Sequence, residues 1–211
     1  MKRVLSVLLA LVFVVAGFSG CNKKTEKKDE NYNTKQVNNT NVASYVEKGV
    51  LDFSKVAVGM KVNDAIEQFH KEADMKDGTR VVLGETVYGN YKGLQAREVN
   101  NEVYDISKYT NTSFVYDLNN EQNGIVAICT VYDVYGFQNG ITLTEDVTNS
   151  LGETEKYTPS SDELFFLPVK FGAEALKYSF GENTVTFYFV DNFLSATVLS
   201  STANYDPSQT K

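Results

Sequence analysis

Two cysteines and one histidine are the chain's whole supply of thiol and imidazole, and their spacing removes most of the chemistry they could perform. His70 stands alone between Phe69 and Lys71, near the end of a helical pattern. With no second histidine and no cysteine pair it cannot nucleate a typical zinc site, and no known motif gives it a nucleophile to activate. It reads as part of a solvated helix face. Cys129 lies in Ile125-Val126-Ala127-Ile128-Cys129-Thr130-Val131, apolar on both faces of a strand, and reads as a buried, inert thiol. The segment Asp117-Leu118-Asn119-Asn120-Glu121-Gln122-Asn123-Gly124 alternates oxygen-bearing side chains in the manner of a calcium loop. Such a loop places glycine sixth and a bidentate glutamate twelfth; here glycine is eighth and the glutamate is missing, so the segment reads as a hairpin loop. Glu102 and Asp105 are a carboxylate pair of the kind that cleaves glycans, indistinguishable at this level from solubilising charge. Serine hydrolase, phosphate-loop, dinucleotide and metalloprotease signatures are absent. The expectation is a chain with no catalytic residue, no metal and no cofactor.

Tyrosine carries more information. The chain has 13 Tyr, 13 Phe and no Trp, and Tyr88, Tyr91, Tyr104, Tyr109, Tyr132 and Tyr135 fall close together. Tyrosine presents a rigid contact area with a polar tip, which suits a protein interface or a glycan-stacking site. Tyr88, Tyr91, Tyr104, Tyr132 and Tyr135 are therefore the candidate binding face. The competing explanation is that antiparallel strands are built from aromatics in any case, and half of these pack inward.

The remaining cysteine closes Phe18-Ser19-Gly20-Cys21, at the end of an apolar run that starts behind Lys2 and Arg3. Val4 to Phe18 is 15 residues, short of the ~20 that a membrane-spanning helix needs, with the basic start of an export signal. Small residues before a cysteine resemble the bacterial lipobox, with Phe18 standing where leucine is commoner. The resemblance implies cleavage before Cys21 and a lipid on its sulfur, holding the protein at the extracytoplasmic face of the cell membrane. Lipidation would leave Cys129 without an intramolecular disulfide partner.

Charge and composition then divide the chain. Residues 1–20 read as the signal peptide and 21–48 as the lipidated cysteine with a flexible tether, Lys- and Asn-rich and almost free of large apolar residues before Val42. From Asn22 to Thr40 five lysines face three acids, a balance that suits an anionic lipid surface. From Asn41 to Lys211, 13 Lys and Arg face 24 Asp and Glu, which excludes nucleic acid as a natural partner.

The folded part carries an internal duplication. Gly59-Met60-Lys61-Val62-Asn63-Asp64-Ala65-Ile66 aligns without a gap to Gly140-Ile141-Thr142-Leu143-Thr144-Glu145-Asp146-Val147. Each opens a helix, with Asn63 and Thr144 as N-caps or, in the second copy, a box of Thr142 with Glu145. The first helix would bury Ala65, Ile66, Phe69 and Ala73; the second would bury Val147 and Leu151 and stop at Gly152. Strands follow each helix: Ala175–Phe180, Thr184–Val190 and Phe193–Ser200, with a fourth over Leu164–Lys170, in the second copy. The first copy offers Arg80–Leu83, Thr86–Tyr91, Leu94–Tyr104, Ser113–Leu118 and Ile125–Tyr135. The predicted fold is α+β: repeat 1 over 49–135, repeat 2 over 136–205 and a tail over 206–211. Each repeat is a short helix on an antiparallel sheet of about four strands.

A capped helix and a β-meander, given twice behind a lipobox, resemble tandem-repeat proteins with the beta-lactamase inhibitory protein fold. The single-repeat form is similar to the small outer-membrane assembly lipoproteins. The resemblance implies a non-catalytic module that grips another protein through an aromatic-rich β-sheet face, and no inhibitory loop of that family matches here. The expected partners are the membrane, through Cys21, and an envelope or secreted protein. The alternatives are a small-ligand or wall-glycan binder and, further off, a glycan enzyme using paired carboxylates.

Overall fold

The structure, a computed structural model, describes residues 39–74, 78, 80–97, 107–169 and 172–206. The signal peptide, Cys21, Tyr104, Glu102 and Asp105 lie outside the described residues. Among the described residues the architecture is α+β: four helices and one eight-stranded antiparallel sheet.

The first helix, α1 (Asn39–Glu47), falls within the stretch expected to be tether. Its Val42 and Val46, one turn apart, are wholly buried, and each contributes about 1.5 to 3 kcal/mol by leaving water. Helix α2 (Val62–Ala73) buries Ala65, Phe69 and Ala73, while Ile66, expected inside, is half-buried at the margin of the core. Strands β1 (Val82–Tyr88) and β2 (Tyr91–Arg97) form a hairpin that turns at Gly89, where φ is +55°. The sequence pattern left Gly84 and Glu85 between two expected strands, Arg80–Leu83 and Thr86–Tyr91. In the structure Gly84 stays in the strand, and the Arg97 side chain lies over the space a Cβ would fill. After a one-turn helix, α3 (Ser107–Thr110), come β3 (Thr112–Asp117) and β4 (Ile125–Thr130). The calcium-like segment between them is a hairpin loop in which Asp117 Oδ1 accepts the Asn119 N–H at 2.9 Å.

Helix α4 (Thr144–Leu151) starts one residue earlier than a Thr144 cap requires: the N-cap is Leu143, and the Asp146 carboxylate accepts its N–H at 2.9 Å. In α2 the N-cap is Lys61, with no side-chain cap, so Asn63 stands inside the first turn. Short strand β5 (Lys156–Tyr157) precedes β6 (Glu174–Phe180), β7 (Asn183–Val190) and β8 (Phe193–Ser201). Asp191 and Asn192, at φ +51° and +71°, turn β7 into β8. Of Leu164–Lys170, expected as a strand, residues 164–169 are not paired into the sheet, and Lys170 lies outside the described residues. Pro168 has no N–H to give a ladder, and the segment belongs to an irregular strap over residues 158–169.

Strand order is β1-β2-β3-β4-β8-β7-β6-β5. The two meanders lie in one continuous sheet, because the last strand of each would otherwise be an open edge. Pairing β4 with β8, from Ala127 with Ser200 to Thr130 with Thr197, removes both edges at once. Strand β7, deep in the sheet, is buried at seven of its eight positions, which explains its unbroken β-branched and aromatic run.

One face of the sheet carries the helices and the larger core, including Phe69, Phe114, Phe137, Val147, Leu151 and Phe187. Helix α1 precedes the first meander in sequence yet packs on β6 and β7 of the second. Asn183 Nδ2 donates to the Val46 carbonyl at 3.0 Å, satisfying the end of α1. Thr197 Oγ1 is buried on the helix-covered face without a hydrogen-bond partner among the described residues. Thr197→Val, which keeps the shape and removes the orphaned hydroxyl, should raise stability by about 1 to 3 kcal/mol. A melting temperature at or below the parent's would show that the hydroxyl is satisfied.

Candidate binding surface

The five tyrosines do not share one face. Tyr88 and Tyr91 are cross-strand neighbours on the face opposite the helices. The Tyr88 ring stacks on Phe165 with centroids 3.9 Å apart and planes 14° apart, and its hydroxyl donates to the Asp162 carboxylate. Tyr91 is buried beneath Tyr205, and its hydroxyl accepts the Asp206 N–H at 3.1 Å. Tyr132 lies on the helix side, edge-on to Phe53 at 5.5 Å. Tyr135 is a buried part of the helix-side core, with φ of +56°, its hydroxyl donating to the Val50 carbonyl at 3.1 Å and its N–H to Asp52 at 2.8 Å. Two tyrosines thus belong to the strap side and two to the helix side.

The strap side is built from small side chains along the strands, and its own chain covers much of it. Gly93 is where the strap comes closest: a Cβ there would stand 2.9 Å from the Phe166 ring. Leu164, Leu167 and Val169 sink into a second core with Val115, Ala127, Ala175, Ala196 and Val198. Glu163 fixes the strap by accepting from the hydroxyls of Tyr157 and Tyr188, the latter at 3.0 Å. Burial holds the Tyr188 hydroxyl well above the usual phenol range, with Tyr157 and Glu163 adding to the effect. Burial likewise pushes the Cys129 thiol up to about 12, with the Tyr205 hydroxyl as its hydrogen-bond partner. The Tyr188 hydroxyl and the Cys129 thiol stay neutral at physiological pH, and the hydrogen bonds to Glu163 clamp chain segments together.

His70 differs from its expected place on a solvated face. Its side chain is largely covered, with Nδ1 at 2.9 Å from Asp74 Oδ1 and the ring edge-on to Phe69. Asp74 also accepts from the Val81 N–H and Arg80 Nε, so the group fixes the passage from α2 to β1. Among the described residues no three His, Cys, Asp or Glu side chains are placed to hold a metal, and no helix is long and apolar enough to cross a membrane.

What remains open is the outer edge of the sheet. Strand β1 presents seven residues with no strand beyond it among the described ones, and Val82 and Val87 are 54% and 55% exposed. Tyr88 with Phe165, itself 41% exposed, extends this strip onto the strap. The opposite edge, β5, is two residues long and carries a Lys156–Glu174 ion pair at 2.9 Å. Sequence reasoning missed the strap, although two of the chain's three prolines, Pro159 and Pro168, bracket it. It missed the β1 edge as well, since exposure of one strand depends on where all the others pair.

No family model matches this chain, and no curated protein matches it. Among solved structures it is similar to a DUF4309 family protein, YjgB, from Bacillus subtilis subsp. subtilis str. 168. The two share 12% identity with a TM-score of 0.46, over 80% of this chain and 97% of that one.

Proposed function

We propose that the protein is a lipid-anchored, extracytoplasmic binding module, held through Cys21, that takes an extended segment of a protein partner along the free edge of β1. The observation that carries this is the asymmetry of the sheet's two edges. Natural sheets blunt exposed edges with short strands and charge. Here β5 is blunted in both ways, whereas β1 is long and bears Glu85 as its one charged residue, with two valines exposed. A partner strand would find main-chain hydrogen bonds for affinity and the Val87 and Tyr88–Phe165 strip for specificity. The glycan-enzyme alternative rests on carboxylate pairs such as Glu102 and Asp105, which lie outside the described residues.

The tandem-repeat reading belongs here too. The Gly59 N–H donates to the Ile125 carbonyl and the Gly140 N–H to the Leu194 carbonyl, each at 2.7 Å. Ile125 and Leu194 return the bond, to Met60 and Thr142, each at 2.8 Å. The same glycine ties the helix entry to the start of the last strand in both halves, which is what a duplicated unit would preserve. Fusion of the two units into one sheet leaves a single long edge for recognition.

Two experiments test the proposal. Labelling cells with radioactive palmitate should mark the parent protein and leave Cys21→Ala unmarked. Residues 22–211 used as bait on envelope and secreted fractions should retain one stoichiometric protein, and Val82→Lys with Val87→Lys should lose it at an unchanged melting temperature. Equal retention by the lysine variant would remove β1 from the interface.

A further inference from the structure

From the cleft between the strap and the sheet we infer a second binding site, beside the β1 edge and sharing Phe165 with it, for a neutral, hydroxyl-rich small molecule of the sugar class. The cleft has a volume of ≈ 270 Å³. That is space for about nine waters at ~30 Å³ each, near the lower end of ligand-pocket sizes and right for one sugar ring with its substituents. Its floor and rim carry Thr86, Gln95, Asn111 and Ser113, and its wall is Phe165 and Phe166.

Three observations define the ligand. First, no charged side chain among the described residues lines the cleft, so none of them compensates an ionised group leaving water. Second, hydrogen-bonding capacity is left over. Gln95 donates its Nε2 to the Thr110 carbonyl, which fixes the amide and leaves Oε1 as an acceptor. The Thr86, Asn111 and Ser113 side chains make no hydrogen bond to any described residue, and between them they offer both donors and acceptors. A molecule with several hydroxyls, each donor and acceptor, matches such a set. Third, the wall is aromatic and held in place: Phe165 and Phe166 meet edge-on at 5.3 Å, Phe165 is stacked on Tyr88, and Phe166 sits on Gly93. The C–H face of a pyranose packs on such a ring while its hydroxyls reach the polar floor. Because Glu163 and the buried leucines fix the strap, the site stands ready before the ligand arrives, and no ordering cost weakens binding.

The test is saturation-transfer NMR and titration of residues 22–211 with N-acetylglucosamine, glucose and xylose as neutral probes and glucuronate as the charged one. The expected result is transfer to ring C–H protons of at least one neutral probe and none to glucuronate. Thr86→Val and Ser113→Ala should each weaken that probe's affinity about threefold to tenfold, the loss of one neutral hydrogen bond. Thr86 is exposed, so its variant keeps the fold, and an unchanged melting temperature confirms this. Phe165→Leu, which retains apolar cover without a ring face, should reduce affinity as well. Absence of transfer from every neutral probe at tens of millimolar, equal binding of glucuronate, or undiminished binding by folded variants would overturn the inference. Val82 and Val87 do not line the cleft, so Val82→Lys with Val87→Lys should leave binding of the neutral probe unchanged, which separates this site from the β1 interface.

Discussion

Gly124→Ala is expected to cost about 2 to 6 kcal/mol and to leave little folded protein at 37 °C. Gly124 has φ of +65° and ψ of −145°, a region open to glycine alone, and holding another residue there costs ~1 to 3 kcal/mol. A Cβ would also stand 2.2 Å from the Met60 carbonyl oxygen and 2.7 Å from its carbon. These are backbone atoms fixed by the hydrogen bonds that tie Gly59 and Met60 to Ile125, and forcing them apart costs ~1 to 3 kcal/mol more. Small domains have only about 5 to 15 kcal/mol to lose. Urea melts should show the shift as a lower midpoint. A loss below 1 kcal/mol would mean that the α2 entry and β4 are not in contact.

Phe69→Ala should cost about 3 to 5 kcal/mol. Phe69 is 1% exposed and touches Tyr109 and Phe114 edge-on, at 5.6 and 5.8 Å between ring centroids. It is the side chain by which α2 holds β3, and truncation leaves a void that these rings cannot close without leaving their own neighbours. The result that would contradict this is an unchanged melting curve, which would place the side chain in solvent.

Phe69 was legible in the sequence because burial on a helix follows a local period: Ala65, Phe69 and Ala73 mark one face whatever they pack against. The strands of the second half were legible for a related reason, since Asp191-Asn192 and Gly181-Glu182 announce their turns within the strand pattern itself. What was illegible depends on distant parts of the chain. Val42 looks like a stray residue at the end of a polar tether until β6 and β7 are in place to receive its helix. Gly84 looks like a break between two strands until Arg97 is seen lying over it. The tyrosines suffered most: type and proximity in sequence say nothing of face, and Tyr91 and Tyr135 are interior groups on opposite sides of the sheet. The strap is the largest case, for Leu164, Leu167 and Val169 carry the composition of a strand and use it to cover one.

The cover directs the functional reading away from the middle of the sheet and toward its edge. Hydrogen exchange on the protein alone and with its captured partner measures this most directly, because an added strand closes the open N–H groups of the strand it joins. The account predicts slowed exchange over Val82–Tyr88 in the complex, with β7 and β8 already protected and unchanged. Protection appearing on α1 and α2, with β1 exchanging as fast as before, would contradict it.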